Sequence, residues 1–184
     1  EDVLHCHPEL VREKKHKAQV VHPMQWHLRF TNVNGQPIDE HVDIDAAWQL
    51  HRGDGTTIAV IDDGVDDRHE EFSQPGKIVF PRNTVNDREV ARPIYHRDNH
   101  GTACAGVACA SGNRKAAGVA PRARLMPIRS GGLGSLAEAK AFAWAADKGA
   151  DVISCSWGPQ DGDWSNPDDP THTRPFALPD STRL

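Results

Sequence analysis

A carboxylate and an imidazole can work as one acid–base unit when the chain brings a strand end next to a helix start. Asp62 and His100 have that character. Asp62 closes the run T-T-I-A-V-I-D at 56–62, and His100 opens H-G-T-A-C-A-G-V-A-C-A-S-G. An Asp in such a place can fix the imidazole tautomer, leaving the other ring nitrogen to take a proton from a nucleophile. That is two thirds of a Ser-His-Asp triad. Taken singly, an Asp at a strand end is an ordinary turn or capping residue and a His at a helix start is ordinarily inert, so the neighbours must decide.

The elements that position the pair follow from periodicity. The apolar run ending at Asp62 predicts a strand buried on both faces of a parallel sheet. Small residues after His100 predict a helix lying close against that sheet, with Gly112 as its stop. A-R-L-M-P-I-R at 123–129 predicts a second strand, and D-V-I-S-C-S at 151–156 a third. Between them Ser135 and Glu138 form a capping box that opens a helix closed by Gly149. Farther upstream, N-V-N-G predicts a turn and V-D-I-D-A-A-W-Q-L-H-R-G a short helix closed by Gly53. Strand-helix-strand-helix-strand order implies a parallel α/β sheet, whose ligands bind beyond the carboxyl ends of the strands. Asp62 and Ser156 both fall at such ends.

Composition bounds the alternatives. In 184 residues, 38% are hydrophobic and 26% charged, with 15 Gly and 13 Pro, which suits one turn-rich globular domain. The net charge of -5 and the absence of a long basic run argue against a nucleic-acid surface, and no run is apolar enough for a membrane span. Residues 1–22 read as an N-terminal arm or the remnant of an activation peptide, and 23–184 as the domain proper. Cys6, Cys104, Cys109 and Cys155 fit no zinc template and are expected to be small buried side chains.

Three motifs, I-A-V-I-D-D-G-V-D, H-G-T-A-C-A-G and S-C-S-W-G-P, together resemble the subtilisin-like serine proteases in order and wording. With the early Q-W-H-L, they are most similar to the kexin and furin branch, over roughly 23–161. The resemblance implies a three-layer α/β fold with a mostly parallel sheet, incomplete in this chain. It also implies that Asp62 orients His100 and that His100 is the general base. Ser156, Trp157 and Gly158 match the strand whose backbone pairs with an extended substrate. Asp63 and Asp161 match the acids that make pockets beside the scissile bond favour Arg or Lys, the alternative for Asp161 being a cap on the turn P-Q-D-G-D. A carboxylate on a pocket floor binds a guanidinium through charge-assisted hydrogen bonds. At the more distant basic pocket the alignment runs through Gly131, Gly132 and Leu133, where this chain has no carboxylate.

The same resemblance implies structural calcium, which takes hard oxygen ligands. Glu71, Asn113 and Gln19 are the candidate ligands, with Glu71 as a solvated turn residue the alternative. Cys104, four residues after His100, matches a packing residue and is expected to turn away from the crevice. The family's G-T-S nucleophile and oxyanion Asn have no counterpart among these residues. The expectation is a calcium-dependent endopeptidase cutting after Arg or Lys, completed by a second polypeptide carrying the Ser and produced by autoprocessing of a zymogen in the stretch 162–184. The family's habitat implies a secreted or periplasmic protein. A transpeptidase or macrocyclase, and a non-catalytic binding module, are the competing readings.

Overall fold

The computed structural model describes residues 19–132 and 134–158. The first strands of the described residues form a hairpin, β1 (Thr31–Val33) and β2 (Gln36–Ile38), joined by Asn34 and Gly35. Both turn residues have positive φ, 51° and 82°, as a two-residue turn matched to strand twist demands. Helix α1 (Ile44–Leu50) follows and buries Ile44 and Trp48 against Leu28 and Ala117. Val21 packs on this cluster and the Val20 N–H donates to the Gly112 carbonyl (2.7 Å). Residues 19–22, assigned to the arm on sequence, are therefore attached to the fold; the rest of the arm lies outside the described residues.

The sheet that carries the site has the order β4-β5-β3-β6 and is parallel throughout. Its centre is β3 (Thr57–Asp62), in which every residue is buried. On one side β5 (Arg124–Arg129) pairs from Thr57↔Arg124 to Asp62↔Arg129; on the other β6 (Val152–Ser154) pairs from Ile58↔Val152 to Val60↔Ser154. The two-residue edge strand β4 (Arg82–Asn83) completes the sheet beside β5.

Period-two alternation splits β3 between two cores. Ile58 and Val60 pack with Ala105 and Cys109 of α2 (His100–Cys109), whereas Ala59 and Ile61 pack with Ala141 and Ala145 of α3 (Leu136–Asp147). Burying each of these branched side chains contributes roughly 2 kcal/mol. The result is three layers, helix on sheet on helix, as the strand-helix alternation implied. In α2, Gly101, Ala105 and Cys109 form the buried stripe, and the helix ends at Cys109, short of the predicted stop at Gly112. At α3 the Ser135 hydroxyl accepts the Glu138 N–H (3.1 Å), while the Glu138 carboxylate takes the Gly134 N–H in place of the Ser135 N–H of a full capping box. Among the described residues no helix is long and apolar enough to cross a membrane.

Candidate active site

Alternation along β3 dictates the first functional placement. Positions 58, 60 and 62 share the α2 face, so the last residue of the strand presents its carboxylate to the start of α2. There His100 Nδ1 lies 2.9 Å from Asp62 Oδ1 and 3.0 Å from Oδ2. An ionised carboxylate only accepts, so Nδ1 is the donor and Nε2 is left as the proton acceptor. The Asp62 side chain is 4% exposed and the His100 side chain 54%, which suits a fixed orienter and an accessible base. The hydrogen bond to Asp62 and that residue's negative charge raise the His100 pKa above its ordinary value, against a smaller opposing effect of burial; Asp63 adds to the rise.

Asp63 holds the helix end. Its Oδ1 accepts the Gly101 N–H (2.8 Å) and its Oδ2 the His100 N–H (3.2 Å), satisfying donors that the helix's own N-cap residue, Asn99, leaves without a side-chain cap. The Asp63 N–H in turn donates to Asp62 Oδ1 (2.8 Å). Gly101 makes this approach feasible: a Cβ there would collide with the Gly64 carbonyl and lie 2.7 Å from Asp62 Cβ.

The pair opens onto a crevice of about 470 Å³ at the carboxyl ends of the strands, to which Asp63, Trp157 and Gly158 also contribute. The Trp157 indole N–H donates to the Ile61 carbonyl (2.6 Å), and its ring meets Phe142 of α3 edge-on. Ser156 is exposed just before it, and Asp161 lies outside the described residues. Cys104 does not turn away as expected: one helical turn past His100, its Sγ lies 3.7 Å from Nε2 and 3.8 Å from Nδ1. Of the other described cysteines, Cys109 is buried as expected, whereas Cys155 is exposed.

The three residues proposed as calcium ligands are neighbours, but their arrangement does not fit a cation. Glu71 is 1% exposed, and its carboxylate accepts four backbone N–H groups, from Asn113 (3.0 Å), Arg114 (3.2 Å), Lys115 (2.6 Å) and Ala116 (3.1 Å). The Gln19 side-chain oxygen accepts from the Arg52 guanidinium. Calcium requires a shell of oxygens, whereas Glu71 sits in a shell of donors. The predicted cage of Gln19, Glu71 and Asn113 is therefore corrected to an internal carboxylate clasp.

Burial pushes the Glu71 pKa up, but the four amide bonds outweigh it and hold the group below its ordinary value. A depressed folded pKa contributes stability that is present above the unfolded value of 4.5 and is lost as pH falls through the folded value. Glu71→Gln should accordingly destabilise the domain by about 2 kcal/mol, because the amide turns a donor toward donors. Denaturant unfolding at neutral pH checks this, and the gap between the two proteins should narrow on acidification.

Sequence reasoning missed an ion pair in the crevice. Arg129, in register with Asp62, donates from Nη1 to the Asp63 carbonyl (2.6 Å) and pairs through Nη2 with Asp98 Oδ2 (3.0 Å). Asp98 Oδ2 also accepts the N–H groups of Ile94 and Tyr95, each at 3.0 Å. The signal was present: the predicted strand 123–129 ends on a charge, as the strand to Asp62 does.

Comparison with known proteins shows the family and the fold. Residues 53–178 match the subtilase family. The whole chain aligns at 56% identity with 28% of the length of the calcium-dependent protease of Trichormus variabilis. Over 82% of the chain it is 33% identical to 19% of the kexin of Saccharomyces cerevisiae. Among solved structures, the Aeromonas sobria serine protease in complex with its chaperone aligns with 80% of this chain and 27% of its own, at a TM-score of 0.62 and 23% identity, a likeness of fold.

Proposed function

Because this chain belongs to the subtilase family, we propose that it provides the acid–base half of a serine endopeptidase that cuts after Arg or Lys. The observation that carries the proposal is the Asp62–His100 pair, with its buried carboxylate and exposed imidazole at the mouth of a crevice, Nδ1 held by Asp62 and Nε2 left as the acceptor. In the proposed reaction Nε2 takes the proton of a serine hydroxyl as the oxygen attacks the scissile carbonyl. Asp62 stabilises the imidazolium, which then protonates the leaving amine. The serine and the donors for the oxyanion come from a segment or second chain outside these 184 residues, which contain no G-T-S sequence. Autoprocessing at a basic residue such as Arg174 would generate the second chain from a secreted or periplasmic zymogen.

Selectivity for a basic residue is supported by the kexin likeness and by Asp63 at the crevice, with Asp161 as the second pocket acid. Calcium is supported by the name of the Trichormus relative; in this proposal the ion is structural and bound by residues other than Gln19, Glu71 and Asn113. The full-length protein should cleave Arg- and Lys-terminated fluorogenic peptides at least about tenfold faster than Leu-terminated ones. It should lose activity in EGTA, recover it with calcium, and label with a serine-reactive phosphonate. Equal cleavage after Leu, or no labelling at any calcium concentration, would sink the proposal.

A further inference from the structure

At the end of the sheet opposite Asp62 lies a cavity of about 310 Å³ whose charged lining residues are Lys77, Arg122 and Arg124. No carboxylate lines it, although the chain as a whole carries a net charge of -5. Register fixes its place. Arg124 opens β5 opposite Thr57, the first residue of β3, so the cavity stands about 16 Å of strand away from Asp62. It shares no lining residue with the crevice of the Asp62–His100 pair.

Lys77 is only 6% exposed, and its Nζ donates to the carbonyls of Pro121 (3.1 Å) and Ala123 (2.7 Å), both on the cavity wall. An ammonium has three protons, so one is left without an acceptor among the described residues. Among those residues no carboxylate stands within 4.0 Å of it; the Glu71 charge acts from farther off and is taken up by four amides. A buried cation met by neutral carbonyls alone is costly, and an anion beside it offsets the cost. Other donors line the same cavity. Arg124 gives one N–H to the Gly55 carbonyl (3.2 Å), and Arg122 reaches the exposed Asp54 only at 3.5 Å, which leaves most of both guanidinium forks unused. The Gln19 side-chain oxygen is held by Arg52, so its amide has only N–H groups left to offer. We propose that this cavity binds a phosphate group, free or carried on a small molecule, with Lys77 as the buried anchor and Arg122 and Arg124 as the forks that engage its oxygens. Three cations suit a doubly charged oxyanion better than a single carboxylate, and each planar fork matches two of its oxygens. The volume is about ten times the liquid share of one water, so room remains beside the phosphate for the rest of a small ligand. The site is independent of the endopeptidase reading.

The test is titration calorimetry of the full-length protein with inorganic phosphate and with glycerol 3-phosphate, against sodium chloride at equal ionic strength. The expected result is saturable binding of at least one phosphate compound with a Kd of about 1 mM or tighter, and none of chloride. Tighter binding of glycerol 3-phosphate assigns the site to a phosphorylated small molecule, and tighter binding of inorganic phosphate to the free ion. The double variant Arg122→Gln/Arg124→Gln should weaken binding at least about tenfold, and Lys77→Met should do the same. Bound phosphate should also raise the Tm of the native protein to a plateau. The proposal is overturned by absence of saturable binding up to about 10 mM, by an unchanged Kd in the double variant, or by a Tm that climbs without plateau and equally in both proteins, which is the signature of salt excluded from the surface. The arginine variant decides the matter even if Lys77→Met does not fold.

Discussion

Asp62→Asn in the full-length protein should lower kcat by about 10⁴-fold with little change in KM. The substitution keeps shape, removes the charge and turns one acceptor oxygen into an amide donor, while the Asp63 N–H holds the other oxygen. An Asn amide nitrogen facing His100 Nδ1 selects the tautomer with its proton on Nε2, the atom that must receive the serine proton. The pH profile separates this from general damage. A general base works only when neutral, so activity falls as pH drops through the His100 pKa. The hydrogen bond to Asp62 and its charge raise that pKa above the ordinary imidazole value, so the native acid limb should lie on the alkaline side of that value. In Asp62→Asn the limb should move down. Stability runs in the opposite sense. A raised folded pKa contributes stability that is complete below the unfolded value and is lost as pH rises through the folded one. The charged pair therefore supports the fold most where catalysis is least. A native limb at or below that of Asp62→Asn would refute the assignment.

Gly101→Ala is expected to damage stability and catalysis together. The added carbon must displace the Gly64 carbonyl or Asp62 Cβ, and backbone cannot yield as a flexible side chain does. Overpacking of this kind costs about 3 kcal/mol. Because the helix start would move away from the strand end, the 2.9 Å contact of Asp62 and His100 would open, and kcat/KM should fall by about 10²-fold beyond any loss of folded protein. Denaturant unfolding and active-site titration together check both halves. Unchanged stability with full activity would show that Asp63 does not hold the helix end against the strand as described.

The sheet was legible because its strands are continuous apolar runs, and α3 because Ser135 and Glu138 mark its start. The pairing of Asp62 with His100 was legible from motif order, and alternation explains it physically. What escaped detection depends on side-chain direction. Nothing in R-H-E-E-F says that Glu71 turns inward onto four main-chain amides and not outward to an ion. Cys104 touches the imidazole because residues four apart on a helix stack on one face, a fact read earlier as carrying it away. Arg129 and Asp98 meet through a register visible only once β5 lies beside β3. The two-residue β4 is too short for any periodicity to mark.

The Glu71 clasp has a consequence for how this corner can drift in evolution. The carboxylate grips residues 113–116 solely by their peptide N–H groups, which every residue but proline possesses. The clasp therefore places no demand on the side chains of Asn113, Arg114 and Lys115, and these three exposed letters can change to anything but proline while Glu71 keeps the backbone in place.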